Sequence, residues 1–140
     1  MWPQVRPERT GWRDQRISER HRRWGWNCPA LDIDFLFLEY DKGKSVALVE
    51  YKHESAPKQR FTNPSYQALI DLGNRAVLPV FVCRYKDDFT LFRVLPLNEK
   101  AREWLPCRKD MNEREYVTFL YRMRGYEVPQ SMFERDGEVI

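Results

Sequence analysis

The segment from Leu31 to Glu54, LDIDFLFLEYDKGKSVALVEYKHE, sets acids and an amine at the ends of apolar runs. The run FLFL follows Asp34 directly, and the run VALV leads into Glu50, with Lys52 two residues on. Alternate residues of a strand share a face. Asp32, Asp34, Leu36 and Leu38 therefore point one way along the first run, and Val46, Leu48, Glu50 and Lys52 point one way along the second. A carboxylate and an ammonium at the end of a buried strand are costly unless paired or metal-bound. Two carboxylates and a passing backbone carbonyl make an oxygen-rich site for Mg²⁺ that leaves water on the ion. Such an ion lowers the pKa of bound water and neutralises charge building on a phosphoryl group. An adjacent Lys orients that water, helps to deprotonate it, or stabilises the developing charge. Asp followed by Glu-x-Lys is thus a minimal kit for metal-assisted phosphodiester hydrolysis. Asp32 and Asp34 both qualify by face; Asp34 is favoured because it abuts FLFL. The plainer reading of Glu50 and Lys52 is a surface ion pair on the sheet.

These groups meet only if the two runs pair. Leu31 to Tyr40 and Ser45 to Lys52 read as strands around the turn Asp41-Lys42-Gly43-Lys44, an antiparallel hairpin. In a hairpin the start of the first strand lies beside the end of the second, which brings Asp34, Glu50 and Lys52 to the open end of the sheet. Before the hairpin, Asp14 to Trp24 reads as a helix, capped by Asp14, stopped by Gly25, with Ile17 and Trp24 as a narrow buried stripe. After it come a polar stretch from His53 to Asn63 and a short helix from Pro64 ending near Gly73. Ala76 to Tyr85 reads as a fully buried strand, Asp87-Asp88 as a turn and Phe89 to Leu95 as another strand. Pro96 to Leu105 is a short helix or loop. Asn112 to Gly125 is an amphipathic helix, with Asn112 and Glu115 as a reciprocal cap and Tyr116, Leu120 and Met123 as its stripe. The order helix, strand, strand, helix, strand, strand, helix implies an α/β fold with a mixed central sheet flanked by helices. Residues 1–13 read as an Arg- and Trp-rich arm, 14–128 as one domain and 129–140 as a loosely held tail.

Composition narrows the function classes. A chain of 140 residues with 42% hydrophobic and 14% aromatic residues supports one folded core rather than disorder. Its longest apolar run is far shorter than the roughly 20 residues a membrane span needs. Cys28, Cys83 and Cys107, scattered and odd in number, suit a reducing cytoplasm with the thiols as small buried hydrophobes. The net charge is only +3, but 17 of the 24 basic residues are Arg, the residue that grips phosphate bidentately and stacks on flat rings. Seven arginines fall in the first 23 residues, beside four of the five tryptophans in the first 26. That mixture suits a nucleic-acid surface; it equally suits an arm that packs its Trp and solvates its Arg. Arg16, Arg20, Arg23 and Lys58 are candidates for contacts to a nucleic-acid backbone. His21 and His53 are too few and too far apart for a His-metal centre, no Cys-x-x-Cys offers a zinc site, and no Gly-rich phosphate loop is present. His53 reads as a partly exposed strand-end residue.

The combination of Asp34 opening an apolar strand, the hairpin, and Glu50-Tyr51-Lys52 closing the next strand resembles the PD-(D/E)XK nuclease superfamily. That superfamily includes restriction enzymes, Holliday-junction resolvases and phage exonucleases. The resemblance covers roughly Asp14 to Leu95, and it implies a restriction endonuclease-like core. Pro29 is not adjacent to the acid, so the literal Pro-Asp dipeptide is missing. By this resemblance Asp34 and Glu50 bind the metal, the Tyr51 carbonyl is a third ligand and Lys52 is the catalytic lysine. Glu19, in RISERHRRWG, stands where many members carry a further acid. Gln67, in PSYQALIDLG, stands where some members use a helix glutamine; its plainer reading is a solvent-facing residue, and that of Glu19 an ion pair with Arg22 or Arg23.

The expectation is therefore a Mg²⁺-dependent nuclease, with Mn²⁺ as a substitute, acting on DNA with RNA not excluded, and a homodimer as one way to gain a second DNA contact. Two other classes compete with it. A nucleic-acid-binding module of the same fold would bind in a salt-sensitive way without turnover. A protein-interaction component would use the Trp-rich arm as its contact.

Overall fold

The computed structural model describes residues 15–24, 33–39, 42–135 and 138–139. The chain divides into two compact units, residues 1–32 and 33–140, each described by itself. The arm at 1–13, the cap Asp14, the stop Gly25, Cys28 and Asp32 lie outside the described residues.

In the first unit α1 spans Gln15–Trp24, close to the expected bounds. Ile17 and Trp24 are both exposed on it, where a buried stripe was expected.

The second unit is a five-stranded mixed sheet, with β1 Phe35–Glu39, β2 Lys44–His53, β3 Val80–Tyr85, β4 Phe92–Pro96 and β5 Lys109–Met111 in that spatial order. The chain also forms α2 Pro64–Ala76, α3 Glu99–Trp104 and α4 Glu113–Met123, then a 3₁₀ turn Gln130–Phe133 and a small hairpin of β6 Glu134–Arg135 with β7 Glu138–Val139. This is an α/β fold with helices beside a mixed sheet, as expected. β1 and β2 pair antiparallel, β2 and β3 parallel across the α2 crossover, and β3, β4 and β5 antiparallel in succession. None of the described helices is long and apolar enough to cross a membrane.

The sheet buries both faces unequally. One face carries the larger cluster, in which Val49, Phe81, Cys83 and Val94 of the sheet meet Ala101 of α3 and Tyr116, Phe119 and Met123 of α4. The other carries a smaller cluster of Leu48 and Val80 against Leu69 of α2. It is on this thinly covered face that β2 continues, past Leu48, to Glu50 and Lys52.

Two devices fix α2 over that face. Its N-cap Asn63 accepts from Ser65 N, with Pro64 in the first turn, where a missing N–H costs nothing. At its far end the helix runs past Gly73 to Ala76 and closes on Val77 in the left-handed conformation. The helix thus ends three residues beyond Gly73, near which its end was expected. Gly73 is a contact glycine: a Cβ there would stand 2.1 Å from Val80 Cγ2, so α2 reaches β3 only because this position has no side chain. Beside it Asn98 is buried yet satisfied, accepting from Val80 N and Ala101 N and donating to Leu78 O and Asn74 Oδ1. It ties the end of α2, the start of β3 and the cap of α3 together.

Other departures are local. The apolar run starting at Ala76 begins as helix, and β3 starts only at Val80. β4 starts at Phe92, because Phe89 sits at φ 58 in the preceding turn. β5 was not foreseen. The capping box of α4 forms as read, Asn112 with Glu115. Phe133 in the expected loose tail is buried, with the Arg114 guanidinium over its ring at 4.6 Å. Cys83 is buried but Cys107 is exposed, against the expectation of buried thiols.

Gly73→Ala should lower stability by about 1–3 kcal/mol, since α2 or β3 must shift to admit a methyl group. Urea unfolding followed by circular dichroism checks it; an unchanged midpoint would contradict the close approach.

Candidate metal centre

β2 is anchored at its C-terminal end from the opposite face. The Tyr51 ring packs edge-on against Phe35 and Tyr116, at 5.0 and 6.3 Å between centroids, and its hydroxyl lies 2.6 Å from the Tyr116 hydroxyl. Burial pushes the Tyr51 phenol up to about 12 and the Tyr116 phenol up as well, so both rings stay neutral. With Tyr51 held in the aromatic layer, strand alternation sends Glu50 and Lys52 to the α2 face.

The hairpin register does the rest. Phe35 pairs with Val49, and one more step along the antiparallel pair sets Asp34 opposite Glu50. At that step β1 has ended, and the Tyr51 N–H donates instead to Asp34 Oδ2 at 3.1 Å. The Asp34 carboxylate thereby takes the place of a missing strand partner and is held beside Glu50. A bulge between Phe37 and Leu38 shifts the register nearer the turn, so the alignment at Asp34 is set by the regular part of the hairpin.

Around Glu50 the charges are underpaired. Lys52 Nζ lies 3.2 Å from Glu50 Oε1. Glu50 Oε2 is buried, with no hydrogen-bond donor to it among the described residues when both acids are ionised. Burial foremost, the Asp34 charge next and a carboxyl hydrogen bond to Asp34 last raise the Glu50 pKa, while the contact with Lys52 offsets part of the rise. One ammonium thus faces two carboxylates, one of which is largely out of water. A divalent cation would relieve both faults, by ligating the orphan oxygen and by separating the like charges. The donor set fits Mg²⁺ or Mn²⁺, which take one or two carboxylates and fill the remaining positions with water. No group of three or more His, Cys, Asp or Glu that could hold a metal occurs among the described residues, so an all-protein cage of the structural zinc kind is not what this site offers.

The other expected residues are placed as follows. Gln67 is exposed on α2, and its Nε2 donates to Phe61 O at 2.7 Å, which braces the loop before the helix. Glu19, Arg16, Arg20 and Arg23 all lie exposed on α1, in the separate first unit. Lys58 lies exposed in the loop after β2. The His53 ring is bonded to Ser55 Oγ and Asp87 Oδ1 and packs against Tyr85. Residue 53 alternates with Lys52 and so faces away from the two acids, as a strand-end residue.

Three residues were not singled out in the sequence. Arg84, Arg93 and Arg108 line a cavity with Lys58. The strands VFVCRY and FRVLP each carry one Arg on the Val82–Leu95 face, a period-two signal that was there to be read; Arg108 carries no such signal.

Compared with known proteins, the chain matches no protein-family model, no curated protein and no solved structure.

The raised Glu50 pKa has a definite sign in stability. The folded state keeps this proton to higher pH than the unfolded chain, so the metal-free protein loses stability as pH rises from the ordinary carboxylate value through the raised one. In EDTA, Glu50→Gln should therefore melt a few degrees above the wild type at neutral pH, and the gap should close toward pH 4. Thermal melts across that range check it; a wild type more stable than the variant at neutral pH would contradict the strained acid pair.

Proposed function

We propose that the protein is a Mg²⁺-dependent nuclease that hydrolyses phosphodiester bonds in DNA. The observation that carries this reading is the buried, unpartnered Glu50 Oε2 beside the Asp34 carboxylate, with Lys52 on the same strand face. Asp34 and Glu50 would hold the ion, and the Tyr51 carbonyl is proposed as a further ligand. The bound metal would supply an acidic water and charge neutralisation at the phosphoryl oxygens.

The chain's own groups account for the remaining chemistry. Tyr51 N–H fixes the Asp34 carboxylate, so that ligand does not have to be ordered on each encounter. Glu50 holds the Lys52 ammonium at the edge of the acid pair. From there Lys52 would orient the attacking water or stabilise charge on the reacting phosphate. Lys52 is part-exposed, which leaves it room to leave Glu50 for a phosphate oxygen.

The order β1, β2, α2, β3 in the second unit, with β2 and β3 parallel, supports a restriction endonuclease-like core in the PD-(D/E)XK manner. On α1, in the first unit, Arg16, Arg20 and Arg23 are proposed as contacts to the DNA backbone, and Glu19 as a further acid among them. Gln67 is proposed as an accessory of the site through the loop it braces. Contacts of that kind position a strand without reading its sequence.

Lys52→Ala should lower Mg²⁺-dependent cleavage of linear or branched DNA by a factor of about 10² or more, with the fold and DNA affinity nearly unchanged. Gel assays with Mg²⁺, Mn²⁺ or EDTA check it. Equal cleavage by variant and wild type, or cleavage persisting in EDTA, would overturn the reading.

A further inference from the structure

The sheet extends the metal face sideways as a row of cations. Lys52 is the register partner of Arg84 on β3, and Arg84 that of Arg93 on β4. Neighbouring strands stand about 4.8 Å apart, so the row crosses three strands within about 10 Å. At its far end lies a cavity of about 210 Å³ lined by Lys58, Arg84, Arg93 and Arg108. Val82 and Leu95, paired across β3 and β4, also line it. Val82 is the register partner of Glu50, so the cavity opens one strand away from the acid pair.

The four cations are not a closed ion-pair network. Arg93 forks onto Asp110, with bonds of 2.8 and 3.0 Å, and that carboxylate offsets one charge. Among the described residues Arg84 donates only to backbone, to His53 O, Ala56 O and Pro57 O. It pins the loop that leads to Lys58 while keeping its own charge. Lys58 and Arg108 make no ion pair among the described residues. Asp110 also feels the Arg108 charge, so this one carboxylate is shared and positive charge stays in excess in a concave site, where the field of like charges is focused. At the wall Phe61 is 41% exposed and stands edge-on to the buried Tyr66, with 5.2 Å between ring centroids. A fixed, half-exposed ring beside clustered Arg and Lys suits a sugar or base attached to the anion better than a bare ion.

We propose that this cavity is a phosphate subsite that grips a nucleic-acid strand beside the phosphodiester engaged at Asp34 and Glu50. The proposal rests on the nuclease reading for what happens next door, but the cavity binds its phosphate without a metal and without turnover. The phosphate is either a terminal phosphomonoester or an internal phosphodiester of the strand, and the two differ in what they demand of the end. Lys58 and Arg108 are the contacts that remain open to it, and Arg84 shapes the loop that presents Lys58.

The test is metal-free binding, by fluorescence anisotropy in EDTA, to four short single-stranded DNAs: 5′-phosphorylated, 3′-phosphorylated, hydroxyl-ended and circular. The Lys58→Ala/Arg108→Ala double variant, whose two side chains are exposed and outside the core, should bind at least about tenfold more weakly. Its log affinity should also fall less steeply with log salt, the slope dropping by about one to two. A loss confined to one phosphorylated end supports the subsite with a terminal phosphomonoester as its ligand. An equal loss on all four supports it with a backbone phosphodiester. Unchanged affinity and salt slope in a variant with native circular dichroism overturns it. Because no cleavage is read, loss of binding alongside a wild type that never cuts DNA retires the nuclease and keeps the subsite.

Discussion

Strand alternation at one position decides where the charged side chains of β2 stand. Tyr51 is committed to the aromatic layer between the sheet and α4, and a strand cannot turn one residue inward without turning its two neighbours the other way. Glu50 and Lys52 are therefore forced onto the face that α2 covers only in part. The antiparallel register then leaves Asp34 no position but the one beside Glu50, and the Tyr51 N–H fastens it there. One residue thus acts twice, its ring setting the face and its amide placing the second acid. The site is built on strands rather than on loops, which keeps its geometry tight.

Such a cluster is a poor way to stabilise a sheet. A half-satisfied acid pair with a single ammonium raises the energy of the folded state, and an apolar pair at Glu50 and Lys52 would pack better against α2. Tension of this kind is tolerated where a ligand relieves it. The surrounding residues are arranged in keeping with that role. A row of basic side chains runs from Lys52 across Arg84 to Arg93, where Asp110 offsets part of the charge, so a polyanion would meet an attractive field on one side of the acids. On the proposed reading, a cation held by the acids would offset the repulsion they offer a phosphate. Metal and strand would therefore bind cooperatively, each reducing the repulsion the other meets.

Much of this was legible from residue order. The hairpin followed from two apolar runs around DKGK, and the meeting of Asp34 with Glu50 followed from the hairpin. The α4 cap followed from Asn112 and Glu115, whose side chains bond to their own helix end. Legibility failed where a long-range contact decides the local structure. The helix from Pro64 reads as ending near Gly73 until Val80 is known to lie against that glycine. β5 is three residues long and exists only because β4 offers it an edge. Arg84 and Arg93 look like ordinary strand charges until pairing sets them side by side, and Arg108 joins them from a segment with no periodicity to mark it. The α1 stripe of Ile17 and Trp24 was legible as a pattern, yet both side chains are exposed.

The central claim is that Asp34 and Glu50 jointly hold one divalent cation, and the most direct measurement is Mn²⁺ binding followed by electron paramagnetic resonance. The wild type should take up one equivalent of Mn²⁺ that Mg²⁺ displaces, and Asp34→Asn and Glu50→Gln should each abolish that uptake while the circular dichroism stays native. Equal Mn²⁺ binding by the wild type and both variants would contradict the account.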